Sequence, residues 1–273
     1  AARRRGVVER ASERKAQVGA EYVRKHGALW ELSERWLHPD FLALVAAARA
    51  AEAAGTPLPR EHAPRPIGEG AYVLPVFTAE FCELLCEELD AFGASGLPAG
   101  RPNSMNKYGV LLDELGFTPT FLQPLLDEYL RPLSGALAPL AAHGGASLDH
   151  HKAFVVRYKM GEDEELAAHY DNSEVTLNVN LGRDFLAGEL VFYGCREERN
   201  DAPTTYHEWD TAGIGHGVLH LGRQVHAALP IACGERLNLV MWLRSSAHRM
   251  RTGCPMCDRT DRLLTLDGAH SRL

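Results

Sequence analysis

The chain has 273 residues, of which 45% are hydrophobic and 24% are charged, and its formal net charge is -7 at pH 7. A chain of this size can bury a large core, either as one β-rich domain or as two smaller ones. The negative charge leaves no basic face to neutralise phosphates, and no apolar run reaches the roughly 18 residues that a membrane span needs, so we expect neither a nucleic-acid partner nor a membrane span.

The N-terminal part of the chain is predicted to be helical. Residues 8–26 and 40–54 are rich in Ala, Glu and Arg and contain no internal Pro, which is typical of helices. His38 and Asp40 form a His-x-Asp pair, but Asp40 has a sufficient explanation as the N-cap of the second helix. Residues 55–70 hold Pro and Gly at a density that indicates a linker.

Beyond that linker, the pattern predicts a short strand and then more helix. The strand covers 72–77, and the helix begins after Thr78, which is a candidate N-cap. Residues 93–109 are predicted to form a loop that is rich in Pro and Gly. Residues 117–142 are predicted to form a helix that three prolines interrupt.

From residue 153 onwards the segments are short, rich in β-branched residues and bounded by turns. Seven strands are predicted, over 154–160, 174–182, 189–193, 206–209, 217–221, 225–231 and 236–243. Helices followed by strands favour a helical layer packed on a double sheet. We therefore expect an α+β fold, namely a double-stranded β-helix, or jelly roll, with an N-terminal helical layer.

The same pattern predicts three parts of the chain. Residues 1–66 form an N-terminal helical region and linker, and residues 67–250 form the jelly-roll domain with its supporting helices. Residues 251–273 form a Cys-containing tail.

His169 and Asp171 lie two residues apart in the strand-rich region, and on an extended backbone such side chains point to the same face. An imidazole and a carboxylate on one face can hold a divalent metal. A second imidazole would complete the two-His, one-carboxylate set of non-haem Fe(II) sites, which leaves positions open for substrates and O2. His216, His220 and His226 are the candidates for it.

A fixed cation favours His226 among these three. A bidentate 2-oxo acid with a remote carboxylate needs a cation across the pocket, and the planar guanidinium of Arg matches a carboxylate. Only His226 is followed ten positions later by a basic residue, Arg236, which lies on the next predicted strand.

Three stretches then carry a family resemblance over roughly residues 150–258. They are FVVRY with the later HYD, SEVTLNVNL with AGELVFYG, and VHAALPIACGERLNLVMWLRSS. Together they resemble the 2-oxoglutarate and Fe(II)-dependent oxygenases of the prolyl/lysyl hydroxylase type. Within that family, the chain looks most like the metazoan and algal group of 2-oxoglutarate and iron-dependent oxygenase domain-containing proteins, type two, whose tail also carries a CPMC-like element.

The resemblance implies a set of site residues and cofactors. Fe(II) is expected to be held by His169, Asp171 and His226. The cosubstrate 2-oxoglutarate is expected to bind through Arg236 and Tyr158, with Asn178 as a weaker candidate. The cofactors implied are Fe(II), 2-oxoglutarate and O2, with ascorbate as a candidate reductant.

The activity implied is that of a dioxygenase, which hydroxylates a C-H bond while 2-oxoglutarate is converted to succinate and CO2. We expect a protein side chain as the substrate, with a small molecule as the alternative, because unrelated substrates share such metal sites. A catalytically silent jelly-roll binding module is a second alternative. A zinc hydrolase is a third, with Glu174 as its only close general base. Trp242 and Leu190 are expected to be core or pocket wall.

Six cysteines in a chain of this length do not indicate the disulfide framework of a small secreted domain, so an intracellular, cytoplasmic location is favoured. Cys82 and Cys86 lie one helical turn apart and are expected to be buried as small hydrophobes. Cys254 and Cys257 form half of a zinc knuckle, but a free or redox-labile pair is favoured over a structural zinc site.

Overall fold

The computed structural model describes residues 2–196, 204–206 and 213–255. Of the strand predicted over 206–209, only Tyr206 lies within this part of the chain. Cys257, with the prediction of a paired tail site, lies outside it.

The described residues form helices in the first half of the chain and strands mainly in the second. The α-helices are α1 (Ala2–Glu21), α2 (Pro39–Ala54), α3 (Ala79–Ala94), α4 (Arg131–Ala136), α5 (Ala138–Ala142) and α6 (Ser246–Thr252). Short 3-10 or π-helical turns cover Gly27–Trp30, Glu34–Trp36, Arg60–His62, Thr118–Leu122, Leu125–Leu130 and Gly145–Ser147. Among these helices, none is long and apolar enough to cross a bilayer.

The strands build two sheets that face each other. They are β1 (Arg65–Gly68), β2 (Ala71–Pro75), β3 (Gly109–Leu111), β4 (His150–Lys159), β5 (Leu166–His169), β6 (Val175–Gly182), β7 (Phe185–Ala187), β8 (Leu190–Cys195), β9 (Thr204–Tyr206), β10 (His216–Leu221), β11 (Gln224–Ala228) and β12 (Ile231–Arg244). The major sheet has the order β1-β2-β10-β6-β12-β4-β3, with β7 paired to β12, and the minor sheet has the order β5-β11-β8-β9. The predicted α+β fold, a double-stranded β-helix with an N-terminal helical layer, is confirmed.

The major sheet separates the helical layer from a cavity between the two sheets. Successive residues of a strand point to opposite faces. On β12, Leu239 and Met241 therefore enter the core shared with the helices, whereas Arg236, Asn238 and Trp242 line the cavity. Because β4 pairs with β12 in continuous antiparallel register, both strands present one apolar face and one cavity face.

A buried carboxylate ties the N-terminal segment to the helical layer. Glu88 of α3 accepts hydrogen bonds from the Tyr22 hydroxyl at 2.6 Å and from the backbone N-H groups of Lys25 and His26 at 3.0 and 2.6 Å. Hydrogen bonds to an ionised group are stronger than those between neutral groups. The segment after α1 is therefore held against α3, and Val18 of α1 joins the same core as β6.

The structure corrects the predicted N-cap of α2. Asp40 is not the N-cap of α2: His38 takes that position, its Nδ1 accepts from the Asp40 N-H at 3.2 Å, and Pro39 opens the helix. A proline at the first helical position loses no hydrogen bond, so the helix begins at Pro39 and its cap lies two residues before Asp40. By contrast, Thr78 caps α3 as predicted.

The predicted linker over 55–70 contains an edge strand. β1 pairs with β2, with Arg65 opposite Val73. Pro66 is compatible with this position because an edge strand leaves one row of N-H groups unpaired. The boundary predicted after residue 66 therefore falls inside β1, and the three-part division of the chain stays a prediction.

The strand-rich half is close to its prediction, with shorter strands added. β3, β5 and β7 have three or four residues each, too few to show a two-residue alternation. The run predicted over 225–231 is divided at Pro230, which has no N-H to donate to a ladder. Ile231 instead begins β12, which is 14 residues long.

Candidate metal centre

The cavity between the two sheets has a volume of about 470 Å³ and holds every residue predicted for the site. β12 and β4 form its floor through alternate residues, and the minor sheet supplies the opposite wall. Leu190 and Trp242 lie in this wall and floor as expected. A concave, mostly apolar site with a few polar groups is typical of ligand-binding pockets.

His169, Asp171 and His226 meet at one position in this cavity. His169 ends β5 and pairs directly with His226 on β11. One potential ligand atom from each of the three residues lies within 4.8 Å of the others. Nε2 of His169 lies 3.6 Å from Asp171 Oδ1, and Nε2 of His226 lies 3.8 Å from Asp171 Oδ2.

Backbone carbonyls fix the orientation of both imidazoles. Nδ1 of His169 lies 2.9 Å from the Ala167 carbonyl oxygen, and Nδ1 of His226 lies 3.0 Å from that of Gln224. Because a carbonyl oxygen can only accept, each Nδ1 carries the proton and each neutral ring presents the lone pair of Nε2. Two lone pairs directed at a carboxylate are the donor set of a cation, so these residues fit an Fe(II) ion.

The loop that carries Asp171 is held in place by short contacts. The Asp171 N-H donates to the Gly222 carbonyl at 2.8 Å, and its Oδ2 accepts from the Thr176 hydroxyl at 2.7 Å. Gly222 is required there, since a Cβ at this position would lie 2.1 Å from the Ser173 carbonyl oxygen. The carboxylate is therefore oriented before any metal binds.

Burial and neighbouring charges set the protonation of this cluster. Burial by itself would raise the pKa of Asp171, but the surrounding imidazoles and the hydrogen bond from Thr176 lower it below its usual value. Burial, followed by the charge of His226, lowers the pKa of His169 to about 4. Near neutral pH, an ionised carboxylate and an uncharged His169 are the forms that a metal requires.

The other two candidate histidines take different positions. His220 is fully buried on β10, with Nε2 4.0 Å from Asp171 Oδ2, but it is not part of the cluster of potential ligand atoms. His216 lies outside the cavity, with its ring centre 5.8 Å from that of His38. The spacing to Arg236 favoured His226, and the structure places His226, rather than His220, in the cluster with His169 and Asp171. Its role as a metal ligand stays a prediction.

Arg236 and Tyr158 form the opposite end of the cavity floor, where they are paired across β12 and β4. Arg236 is buried, its guanidinium carbon lies 4.4 Å from the centre of the Tyr158 ring, and its Nη1 donates to the Gly188 carbonyl. Gly188 has a φ of +82° and no Cβ that would crowd this guanidinium. Burial lowers the pKa of Arg236 and raises that of Tyr158.

Asn106 is a residue of this end that the sequence did not indicate. It lies in the loop between α3 and β3 and lines the cavity together with Tyr158, and its Oδ1 accepts a hydrogen bond from Asn103 Nδ2 at 2.9 Å. Its Nδ2 is buried and has no partner within the described ranges. A cation, a hydroxyl and an amide N-H at one position match the carboxylate of a bound acid. No sequence pattern marks Asn106, because a loop has no periodicity.

Asn178 lies between the two ends, on β6, where its Oδ1 accepts from Asn238 Nδ2 at 2.6 Å. Both residues line the cavity. Asn238 was missed, although its position two residues after Arg236 on the same strand places it on the same face. The same alternation on β4, counted back from Tyr158, would have found Lys152.

Glu174 is not available as a general base. Its carboxylate is buried and lies 2.9 and 3.1 Å from Arg249 Nε, and it also accepts from the Ser245 N-H at 2.6 Å. These contacts hold α6 on the sheet. The zinc hydrolase alternative therefore lacks its only close base.

The buried cysteines agree with their prediction. Cys82 and Cys86 lie on the buried face of α3. Burial raises the pKa of the Cys86 thiol to about 11, which keeps it protonated and unreactive near neutral pH.

Comparisons with known proteins identify the family. Residues 18–141 match a family described as an OGFOD2-like domain. The chain is 43% identical to "2-oxoglutarate and iron-dependent oxygenase domain-containing protein 2" of Xenopus tropicalis, over 94% of this chain and 72% of that protein. It is 28% identical to human "Procollagen-lysine,2-oxoglutarate 5-dioxygenase 1", over 77% of this chain and 28% of that protein.

Among solved structures, a prolyl hydroxylase from Trichoplax adhaerens superposes with a TM-score of 0.49 and 12% identity, over 81% of this chain and 99% of that chain. The 43% identity to the Xenopus protein extends over nearly the whole chain and most of that protein, and it confirms the resemblance found in the motifs. The chain belongs to the family of 2-oxoglutarate and iron-dependent oxygenase domain-containing protein 2, and it is an oxidoreductase that uses Fe(II) and 2-oxoglutarate.

Proposed function

We propose that this oxygenase hydroxylates a C-H bond of a protein side chain, with release of succinate and CO2. The observation that carries the proposal is the convergence of two oriented Nε2 lone pairs and one carboxylate in a cavity whose other end holds a buried Arg. His169, Asp171 and His226 would hold Fe(II), and three ligands on one face leave positions for the 2-oxo acid and O2.

When bound, Fe(II) and 2-oxoglutarate supply the oxidative chemistry, and the chain supplies position and environment. Arg236 would bind the distal carboxylate of 2-oxoglutarate, with Tyr158 donating its hydroxyl to the same group. A charge-assisted hydrogen bond of this kind contributes about 1.5–3 kcal/mol. Because Arg236 is held by the Gly188 carbonyl, it needs no rearrangement to receive the acid.

The chain also keeps the metal position dry on one side. Phe154, Val156, Leu190 and Val240 are all buried and line the cavity between its two polar ends. Such a wall excludes water from the reacting groups. His169, by contrast, is partly exposed, so a substrate can approach the metal position from that side.

Two observations favour a protein side chain as the substrate. The name of the human relative states that it acts on a lysine of procollagen, which is a residue within a polypeptide. In this chain, Met105 is 42% exposed beside the cavity, which offers an apolar contact for a segment that projects one side chain inward.

The test of the metal assignment is succinate formation from 2-oxoglutarate by the Fe(II)-loaded, ascorbate-reduced protein under air. The double variant His169→Ala, Asp171→Ala is expected to lose it. The matched control is His38→Ala, Asp40→Ala, which removes the same two residue types from the His-x-Asp pair at the start of α2 and should keep it. Equal turnover in both double variants would sink the assignment.

If the wild type forms no succinate, calorimetry with 2-oxoglutarate separates the remaining alternatives. Binding without turnover would indicate a silent binding module, and the absence of binding would overturn the roles of His226 and Arg236. The substrate class is then tested by incubating the active protein with a cell lysate of its host and with that lysate's small-molecule fraction. An added oxygen atom on a peptide, detected by mass spectrometry, supports the proposal, whereas one found only on small molecules contradicts it.

A further inference from the structure

Lys152 carries an ammonium group that lies in the cavity and has no acidic partner among the described residues. It stands opposite Trp242 across β4 and β12, and its Nζ lies 5.5 Å from the centre of the Trp242 ring and 5.7 Å from that of Phe154. Aromatic faces attract a cation but do not neutralise it. Glu114, the acidic residue whose charge acts on Lys152, is paired with Arg14 at 2.7 Å.

The indole nitrogen of Trp242 is a second donor at the same end of the cavity. Nε1 is buried and finds no hydrogen-bond acceptor in the part of the chain that the structure describes. An indole N-H can only donate, and a buried donor without an acceptor is unfavourable. Lys152 and Trp242 thus present two donors without a described acceptor at this end of the cavity, one of them charged, and an oxyanion is the group that such donors bind.

Arg244 adds a second positive charge at this end. The guanidinium carbon of Arg244, two residues further along β12, lies 5.8 Å from the centre of the Trp242 ring. Burial, followed by the charge of Arg244, lowers the pKa of Lys152 to about 8, so the amine is still mostly protonated near neutral pH. An anion bound here would offset both the burial and the repulsion.

The cosubstrate 2-oxoglutarate is not the anion that would bind at Lys152. Under the proposed function, one carboxylate of 2-oxoglutarate binds Arg236, and the other, with the adjacent keto oxygen, fills positions on the metal. The cosubstrate therefore leaves no carboxylate for Lys152, which lies six residues from Tyr158 along β4.

The same position lies beside the metal. Thr176, which binds Asp171, stands opposite Trp242 on β6, and Lys152 stands opposite Trp242 on β4. Thr176 and Lys152 are thus two strand spacings apart, about 10 Å. A group bound at Lys152 would therefore lie at the same level of the major sheet as the residue that orients Asp171.

We propose that Lys152 and Trp242 form a subsite for a carboxylate of the substrate, so that the oxidised carbon lies close to an acidic group. This inference rests on the proposed function, because it takes the substrate to be the molecule that enters this cavity. For a protein substrate, the acidic group belongs to an Asp or Glu side chain at or beside the modified residue.

The experiment measures the pKa of Lys152 by NMR with the protein labelled with 13C in its five lysines. The protein is loaded with Zn(II) and N-oxalylglycine, an unreactive analogue that occupies the 2-oxoglutarate position. Lys152→Met assigns the signal, and the exposed Lys159 at the end of the same strand supplies the reference signal. Acetate, its neutral counterpart acetamide and inorganic phosphate are added in separate titrations at constant ionic strength.

Acetate is expected to raise the pKa of Lys152 by about 1 unit and to saturate, as a carboxylate beside an ammonium does. Acetamide should leave it unchanged, Lys159 should respond to neither, and Trp242→Phe should weaken the acetate response. An unchanged Lys152 at saturating acetate concentrations overturns the proposal. A response to phosphate alone overturns the carboxylate assignment.

Loss of the metal and cosubstrate site and loss of the Lys152 subsite give different results. Calorimetry of N-oxalylglycine with the Zn(II)-loaded protein tests Arg236 and the metal ligands. If that binding is absent, the proposed function fails. The acetate titration is repeated on the metal-free protein, where the response of Lys152 still decides the subsite.

Discussion

The two faces of the major sheet are made from alternate residues of the same strands, yet they differ in almost every physical respect. On β12, Leu237, Leu239, Met241 and Leu243 pack into the core shared with the helices. Between them, Arg236, Asn238, Val240 and Trp242 line the cavity. One face is continuously apolar and close-packed, and the other holds a buried cation and amide groups around an open volume.

This difference shows which residues stabilise the fold and which serve the site. Burial of apolar side chains supplies most of the free energy of folding. Burial of Arg236 and of the amide groups opposes folding unless each group is hydrogen-bonded. The helix-facing residues therefore stabilise a cavity face that would not be stable alone. Substitutions on the helix-facing side should mainly lower the free energy of unfolding, and substitutions on the cavity side should mainly weaken ligand binding.

The largest expected effect lies on the helix-facing side. Leu239→Ala removes a fully buried side chain and leaves a void, which costs about 2–5 kcal/mol of the free energy of unfolding. Urea denaturation measures it. Val240→Ala, the neighbour on the cavity face, is the matched control and should cost less, because it only enlarges an existing cavity. Equal losses would mean that the two faces are equally packed.

His151 interrupts the apolar face and predicts a dependence on pH. The structure describes no hydrogen-bond partner for either ring nitrogen, and burial lowers its pKa to about 4. The unfolded chain, with a pKa near 6.5, then binds more protons than the folded one between these values. Stability is full above about pH 6.5 and falls as the pH drops toward 4, by up to about 3 kcal/mol for this residue.

Metal-free protein is the sample for this measurement, by urea denaturation at pH 7 and at several values down to 4.5. His151→Leu should keep more of its stability at the acidic end than the wild type does, since it removes the group that must be charged. An identical acidic loss in both proteins would show that His151 is not the group that titrates.

The sequence predicts those residues of the two faces that a local pattern marks, and it does not predict those that depend on long-range contacts. The alternation in RLNLVMWLR marks both faces of β12, and His169, Asp171, His226 and Arg236 were placed by spacing and motif. Asn106 and the edge strand β1 could not be found, because each depends on a long-range contact that no local pattern encodes. His38 rather than Asp40 caps α2 because Pro39 takes the first helical position, a local preference that the sequence also carried.

On the cavity face, Arg236→Met should weaken 2-oxoglutarate binding ten- to a hundred-fold, since a charge-assisted contact of about 1.5–3 kcal/mol is lost. Calorimetry on the Zn(II)-loaded protein measures this. The free energy of unfolding should change little, because an apolar side chain of similar length replaces a buried cation. Arg157→Met, from an ion pair with Glu162 outside the cavity, is the control and should bind the acid normally.

Asn178 should give the smallest effect, and it tests whether the middle of the cavity face belongs to the site or to the fold. Its Oδ1 already accepts from Asn238 at 2.6 Å, so only its amide N-H groups remain to contact the cosubstrate. Asn178→Ala removes one neutral hydrogen bond, worth about 1 kcal/mol or roughly a five-fold change in affinity. Asn178→Asp keeps the acceptor for Asn238 but places a negative charge beside an acidic cosubstrate. If Asn178 touches 2-oxoglutarate, the Asp variant binds it more weakly than the Ala variant. If it serves only Asn238, the Asp variant retains the contact and the Ala variant is the one that loses stability.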